Sequence, residues 1–439
     1  MYPIVSVVQF YGRVVYCTFM HGFHHLFVES NFEKMVSNIL MDLAVTDVLF
    51  TKVLQALSYN YQFIDETMHN KITSFTDNVP YSVDDVDEDA IRRLTRVHGL
   101  VFHDKVPRKA GMISLIYLIG NPVSGEKYIL KLKRKHITRQ LEECVYNMRV
   151  LVSVVSFMTS MWFNVDIVNT MDRHILMLEE QLDFKMEVEN TKSIATNYEN
   201  IDYVKVPKIC DKYCNDNYIV MEYIEGRHFC DLAVDEYVHY CGLVAKMGIT
   251  GVFVHGEIHG DLHAGNILFI CNEGDDTYDV PTYQIALIDF GLTIKICTVL
   301  KSTIVYAGLN YRKKEEVPGI VKKGLNAVLD PPNIIACLDA TSRDNILRDL
   351  EDILYNLSSD AAKLSQADFY KSFQVLNDNL SSTFSETHDI KLTDEFVKLQ
   401  VATSMANGLT MQLCSGDYIK QMNIAINDLF HLDLLEDSD

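Results

Sequence analysis

The chain has 439 residues, 39 Lys plus Arg against 60 Asp plus Glu, and a formal charge of −21. Apolar residues make up 48% and charged residues 23%, with only 9 prolines, which fits a folded globular chain and excludes disordered, collagen-like and low-complexity classes. The acidic balance argues against a nucleic-acid binder, which needs surplus Lys and Arg against phosphate, but a nucleotide needs only local positive charge.

The N-terminal stretch MYPIVSVVQFYGRVVYCTFMHGFHHLF is apolar with one Arg. It lacks the basic start and small-residue cleavage site of a secretory signal, and it is poor in Arg and Ser for a mitochondrial presequence. The apolar, uncharged runs Val14–Val28 and Leu151–Val165 fall short of the roughly 18–20 residues of a spanning helix. A soluble or membrane-surface protein is therefore expected, with an interfacial N-terminal helix as the membrane-bound alternative.

Residues 30–75 carry apolar positions at three- and four-residue spacing, as in MVSNILMDLAVTDVLFTKVLQAL, which predicts helix up to Pro80. Ser82, then Asp84, Asp85, Asp87, Glu88 and Asp89, then Arg92 and Arg93, predict a capped, solvated helix with acid first and base last. From Met112, ISLIYLIG, NPVSGEK and YILKLKRK read as strand, turn, strand. Residues 140–190 read mostly as helix, 218–223 (YIVMEY) as a strand, and Asp231 to Val254 as helix again. Strands ILFI and QIALIDF flank a polar loop, and helices follow from about Val299. The layout is α+β, a small mixed part followed by a mostly helical one, two lobes with a cleft between. No Gly/Ser or Pro-rich linker interrupts it.

Ten cysteines are too few for a disulfide scaffold in a chain of this length. Cys210 and Cys214, with His228 and Cys230 following, match no common zinc spacing. Reduced thiols in an intracellular compartment are expected.

The chemistry concentrates at His259-Gly260-Asp261-Leu262-His263-Ala264-Gly265-Asn266, followed about twenty residues on by Asp289-Phe290-Gly291. H-x-D, an Asn five residues after the Asp, a strand and D-F-G is the order of a kinase-type core. Mg2+ on ATP phosphates needs hard oxygen ligands, which Asn266 and Asp289 supply. Asp261 stands where a carboxylate orients or deprotonates an attacking hydroxyl or water. Upstream, Lys131 lies in the alternating strand YILKL as a candidate phosphate-pairing lysine, and Glu187 lies on a candidate helix to orient it. His255, His259 and His263 recur every four residues, as metal ligands on a helix would, but Gly256 and Gly260 interrupt that helix.

These motifs resemble the UbiB/ADCK family of atypical, protein-kinase-like ATPases. Its H-x-D-P-H-P-G-N core reads H-G-D-L-H-A-G-N here, and its L-D-F-x-x-E-x-x-N signature reads Leu182 to Asn190. Its V-P-x-(V/I) stretch and hinge strand match Val206 to Ile209 and Val220 to Gly226, and its K-x-G-Q motif matches Lys52 to Gln55 with Val79-Pro80 following. The resemblance implies an N-terminal helical extension over residues 1–95, a kinase-like N-lobe over 96–223 and a mostly helical C-lobe over 224–439. It implies that Lys131 pairs with Glu187 and reaches the phosphates, and that Asn266 and Asp289 hold Mg2+. Asp261 takes the catalytic-loop position, and Ala110, Gly111 and Glu222 complete the nucleotide contacts. Lys52, Gln55 and Asp183 become regulatory positions, the first two on an extension packed over the cleft.

The implied activity is ATP hydrolysis or phosphoryl transfer to a small-molecule or lipid-related acceptor, with ATP and Mg2+ as cofactors and isoprenoid-quinone pathway components as partners. A Ser/Thr protein kinase and a non-catalytic, nucleotide-gated pseudokinase scaffold are the alternatives. Three departures stand out: Leu54 replaces the family's Gly, Gln181 replaces an acid before Asp183, and the Ala-rich nucleotide loop keeps only Ala110 and Gly111 small.

Overall fold

The computed structural model describes residues 4–27, 79, 81–143, 180–272, 282–310, 313–332, 334–359 and 391–413, with scattered positions beside them. Most of the predicted 30–75 helix, Pro80, most of 144–179 and the loop 273–281 lie outside the described residues. Two units divide the chain, Met1–Lys192 with Pro207–Ile224, and Ser193–Val206 with Glu225–Asp439.

In the first unit, helix α1 (Ile4–Phe27) has no acid in its first turn and exposes Val15, Tyr16, Phe19, Met20 and Phe23. The acidic cluster forms two elements rather than one helix. Ser82 N–H donates to Asp85 at 2.8 Å over a 3-10 turn, Val83–Asp85. Asp87 then caps α2 (Glu88–Arg96), its Oδ1 accepting from Asp89 and Ala90 N–H at 3.1 Å. An Asp with two amides in reach outcompetes a Ser five residues earlier as the cap. Ala90 and Leu94 are buried under the sheet that follows.

That sheet contains β1 (Val101–Phe102), β2 (Lys109–Ala110), β3 (Ser114–Gly120) and β4 (Lys127–Lys133). Next in the chain come α3 (Phe184–Asn197) and β5 (Val204–Lys205), and then β6 (Tyr218–Glu222), which completes the sheet. The order is β1-β3-β4-β6, with β2 also on β3, all antiparallel. Lys131 sits opposite Ile116 on one side and Ile219 on the other, so a lysine stands in the sheet's interior strand. Its neighbours Leu130 and Leu132 are fully buried.

In the second unit, β5 runs parallel to β9 (Thr282–Leu287), which pairs antiparallel with β8 (Ile267–Asn272). Helix α4 (Tyr237–Thr250) continues as one π-turn, Gly251–His255. Gly256 ends it with φ of 67°, a left-handed cap that costs Gly no Cβ clash. β7 (Glu257–His259) pairs with β10 (Thr293–Lys295). Tyr198, Tyr240, Phe269, Leu287 and Phe290 share one core. Helices α5 (Thr298–Asn310), α6 (Val317–Val328), α7 (Ala340–Ser359) and α8 (Asp394–Leu413) follow, with β11 (Leu329–Asp330) and β12 (Lys391–Leu392) paired between them.

Among the described residues, Val234–His255 is long and apolar enough to cross a membrane by length and composition. Tyr240, Cys241, Val244, Met247 and Ile249 of that stretch are core residues of the second unit. Cys17, Cys210, Cys214, Cys230, Cys271, Cys297 and Cys337 are free thiols. Cys241 is disulfide-bonded, which corrects the expectation of reduced thiols at that buried position.

Candidate active site

In the first unit, β4 and α3 bring two charges 56 residues apart into contact. Lys131 Nζ donates to Glu187 Oε1 at 2.6 Å, with the side chains 9% and 1% exposed. The helix that presents Glu187 begins where Asp183 caps it, accepting from Lys185 and Met186 N–H at 2.9 and 3.2 Å. Lys133, two residues along β4, donates to the Leu182 carbonyl at 2.6 Å and so fixes the turn that starts α3. The Phe184 ring lies 5.7 Å from the Lys131 ammonium and 4.6 Å from that of Lys133. Burial pushes the Lys133 pKa down, while Asp183, Asp216 and Glu187 push it up. A buried lysine kept charged by a buried carboxylate is a preset anion contact, suited to phosphate.

Ala110 is buried at the end of β2, and Gly111 N–H closes a tight turn onto the Ser114 carbonyl at 2.9 Å. Glu222 ends β6 with an exposed side chain, its Oε2 accepting from Lys208 N–H at 3.2 Å. Gln181 is buried. Lys52 and Gln55 lie outside the described residues.

In the second unit, the polar residues sit on loops braced by β7, β8 and β10. Gly260 N–H donates to the Leu292 carbonyl at 2.8 Å, and Ile288 N–H to the Asn266 carbonyl at 3.1 Å, joining the two motif segments. His259 is buried, and its Nδ1 accepts from Asp261 N–H at 3.1 Å. Burial holds the His259 imidazole below its ordinary pKa, with Asp261 and Asp289 pulling the other way, so both carboxylates act on one ring. Asn266 Nδ2 donates to the Asp261 carbonyl at 2.9 Å, which fixes the amide's nitrogen end and leaves its oxygen as the candidate ligand atom. Asp289 Oδ1 accepts from Gly291 N–H at 3.0 Å. His263 Nδ1 accepts from Gly265 N–H at 3.0 Å, while its Nε2 stands 4.0 Å from Asp261 Oδ2.

The donor set tests which metal suits this loop. Asn266 and Asp289 offer a carboxamide oxygen and a carboxylate, hard ligands that fit Mg2+. Among the described residues no group of three or more His, Cys, Asp and Glu forms a metal cluster. His255 closes the π-turn, His259 ends a strand and His263 lies on a loop, so the three histidines share no helical face.

Sequence reasoning missed Lys133, Arg134 and Glu257. Glu257 is buried and accepts from Ser193 Oγ at 2.6 Å and Asn197 Nδ2 at 2.8 Å, bracing the strand that leads into His259. Lys133, a polar residue in the mostly apolar strand β4, was the one of the three with a signal in the sequence.

A family model, the ABC1 atypical kinase-like domain, matches residues 104–315. The chain is 27% identical over 203 residues to a probable protein kinase UbiB of Haemophilus ducreyi, covering 44% of this chain and 34% of that one. It is 23% identical over 268 residues to the chloroplastic protein "activity of bc1 complex kinase 1" of Arabidopsis thaliana, covering 59% and 37%. Over the ABC1 region, residues 104–315, the chain is similar to UbiB and ADCK proteins. Its fold is α+β and protein-kinase-like. The Mycobacterium tuberculosis Rv3197–erythromycin complex is similar in structure with a TM-score of 0.49 and 15% identity, covering 82% of this chain and 87% of that one. The matches with these two UbiB/ADCK relatives span little more than a third of the relatives' length. The ABC1 region takes in Ala110, Gly111, Lys131, Asp183, Glu187, Glu222, Asp261, Asn266 and Asp289, and leaves out Lys52 and Gln55.

Proposed function

We propose that this chain binds Mg-ATP and hydrolyses it or transfers its terminal phosphoryl group to a small-molecule or lipid-related acceptor. The observation that carries the reading is the buried 2.6 Å Lys131–Glu187 pair, a strand lysine held charged by a helix carboxylate. Lys131 would neutralise phosphate oxygens. Asn266 and Asp289 would hold Mg2+, whose charge stabilises the negative charge that develops on the transferred group. Asp261 would orient the attacking hydroxyl or water, with its own backbone fixed by His259 and Asn266.

Support for a non-peptide acceptor comes from the resemblance to quinone-biosynthesis proteins and from the lack of an A-P-E-like segment after Asp289 to seat a peptide. The exposed apolar and aromatic stripe of α1 supports membrane-surface association. Seven free thiols among the described residues favour a reducing, intracellular compartment, and the disulfide-bonded Cys241 counts against it. The pseudokinase reading draws on the inward-tied turn at Gly111, which differs from a flexible glycine-rich loop. The deciding experiment is ATP turnover by the purified 439-residue chain with and without Mg2+. Turnover that needs Mg2+ and vanishes in Asp289→Asn supports the enzyme, whereas ATP binding without turnover leaves the scaffold.

A further inference from the structure

Arg134 follows β4 directly and is 7% exposed, yet no part of the proposed reaction uses it. Among the described residues its guanidinium reaches three separate segments. Nε donates to the Gly111 carbonyl at 3.0 Å, Nη2 to the Val79 carbonyl at 3.1 Å, and Nη1 pairs with Asp85 Oδ2 at 3.3 Å. Its own amide donates to the Ile113 carbonyl at 2.9 Å. Val79 is held from its other side as well, since its N–H donates to the Ala110 carbonyl at 2.8 Å and its side chain is buried. Asp85 is itself fixed, accepting from Ser82 N–H through its carboxylate and from Lys135 N–H through its carbonyl.

One buried cation therefore ties the Ala110–Gly111 turn to the Val79 peptide, where the chain leaves residues 1–78. A planar fork that satisfies acceptors in three segments cannot release one without stranding a buried charge or carbonyl. The turn and the peptide are thus held to one another through a single side chain.

We propose that Arg134 is a positioning residue that links nucleotide occupancy at the Ala110–Gly111 turn to the seating of Val79. The proposal rests on the Mg-ATP reading above. Coupling of this kind is reciprocal: nucleotide tightens the Val79 peptide, and displacement of that peptide weakens nucleotide binding by the same factor. The N-terminal region thereby gains a direct handle on nucleotide affinity, independent of the catalytic loop.

Hydrogen exchange on the full chain, with and without Mg-ATP, tests this. Two peptides are read, one spanning Val79 to Asp85 and one spanning β4 around Lys131. Slowed exchange in both supports the coupling. Slowing at β4 with no change at Val79 overturns it and leaves ATP binding intact, and no change in either overturns both readings. Arg134→Gln is expected to weaken Mg-ATP binding about tenfold and to abolish the Val79 response while β4 still responds. Asp85→Asn, which removes one arm only, gives a smaller shift in the same direction should Arg134→Gln fail to fold. Wild-type affinity and an unchanged Val79 response in the folded variants sink the proposal.

Discussion

The two units hold their functional side chains by opposite means. In the first, Lys131 stands in the interior strand of a five-stranded sheet and Glu187 in the first turn of a capped helix, and their ion pair is buried. In the second, Asp261, Asn266 and Asp289 stand on loops whose shape comes from short side-chain-to-backbone bonds. The first arrangement merges stability with function, because removing either partner strands a buried charge. The second would separate them, because two of these three loop bonds use the His259 ring and the Asn266 amide, and the third uses one candidate carboxylate oxygen, Asp289 Oδ1.

The sharpest way to break this contrast is Asp289→Asn. The substitution keeps the shape of the side chain and an oxygen that can accept from Gly291 N–H, but removes the negative charge proposed to hold Mg2+. Mg-dependent ATP turnover is expected to fall at least about a hundredfold, with the melting temperature nearly unchanged. A large drop in melting temperature would show that the second unit, like the first, welds function to stability.

Lys131→Met probes the other side. It leaves Glu187, 1% exposed, without its ammonium, and a broken buried pair costs about 3–5 kcal/mol. Denaturant unfolding should show that loss together with lost nucleotide binding. Adding Glu187→Leu should return much of the stability and none of the binding. If the single variant is as stable as wild type, the pair is not the structural element described here.

Gly260→Ala tests the loop's backbone rather than its charges. A Cβ there would lie 2.6 Å from Leu292 Cγ and 3.0 Å from the Leu292 carbonyl, which already accepts from Gly260 N–H. The overpacking is expected to cost about 1–3 kcal/mol. Turnover should fall too, because the joint between the His259 and Asp289 segments opens. Wild-type turnover and stability would mean the joint tolerates displacement.

What the sequence made readable follows the same divide. Strands β3, β4, β6, β8 and β9 were legible because apolar runs are bounded by turn residues, and Asp261, Asn266 and Asp289 because their order is local. The split of residues 82–96 was not legible, since Ser82 and Asp87 are both good caps and only the backbone chooses. Arg134 and Glu257 were invisible for a different reason. Their partners, Val79, Asp85 and Gly111 for one and Ser193 and Asn197 for the other, lie 23 to 64 residues away. Long-range polar contacts leave no periodicity to read. The family resemblance supplied roles for the local motifs and none for these braces.

The smallest expected effect concerns pH and again separates brace from chemistry. His255 closes the π-turn before β7, its ring 5.3 Å from that of Tyr198 and its Nε2 buried without a hydrogen-bond partner among the described residues. Burial, and then Lys301, hold its pKa below the ordinary 6.5, with Glu257 opposing. The folded chain therefore takes up this proton at lower pH than the unfolded chain, which takes it up near pH 6.5. Between the two pKa values the unfolded state binds more protons, so stability rises with pH and is lost as pH falls below about 6.5. His259, also buried with a lowered pKa, adds a contribution of the same sign. His255→Gln should flatten the fall in melting temperature between pH 7 and 5.5 without abolishing it, the change in slope amounting to a fraction of one proton. It should leave the ratio of ATP turnover between those pH values unchanged, because His255 packs on Tyr198 and is none of the groups proposed to act on ATP. Parallel stability slopes in variant and wild type would show that His255 contributes nothing to the acid sensitivity.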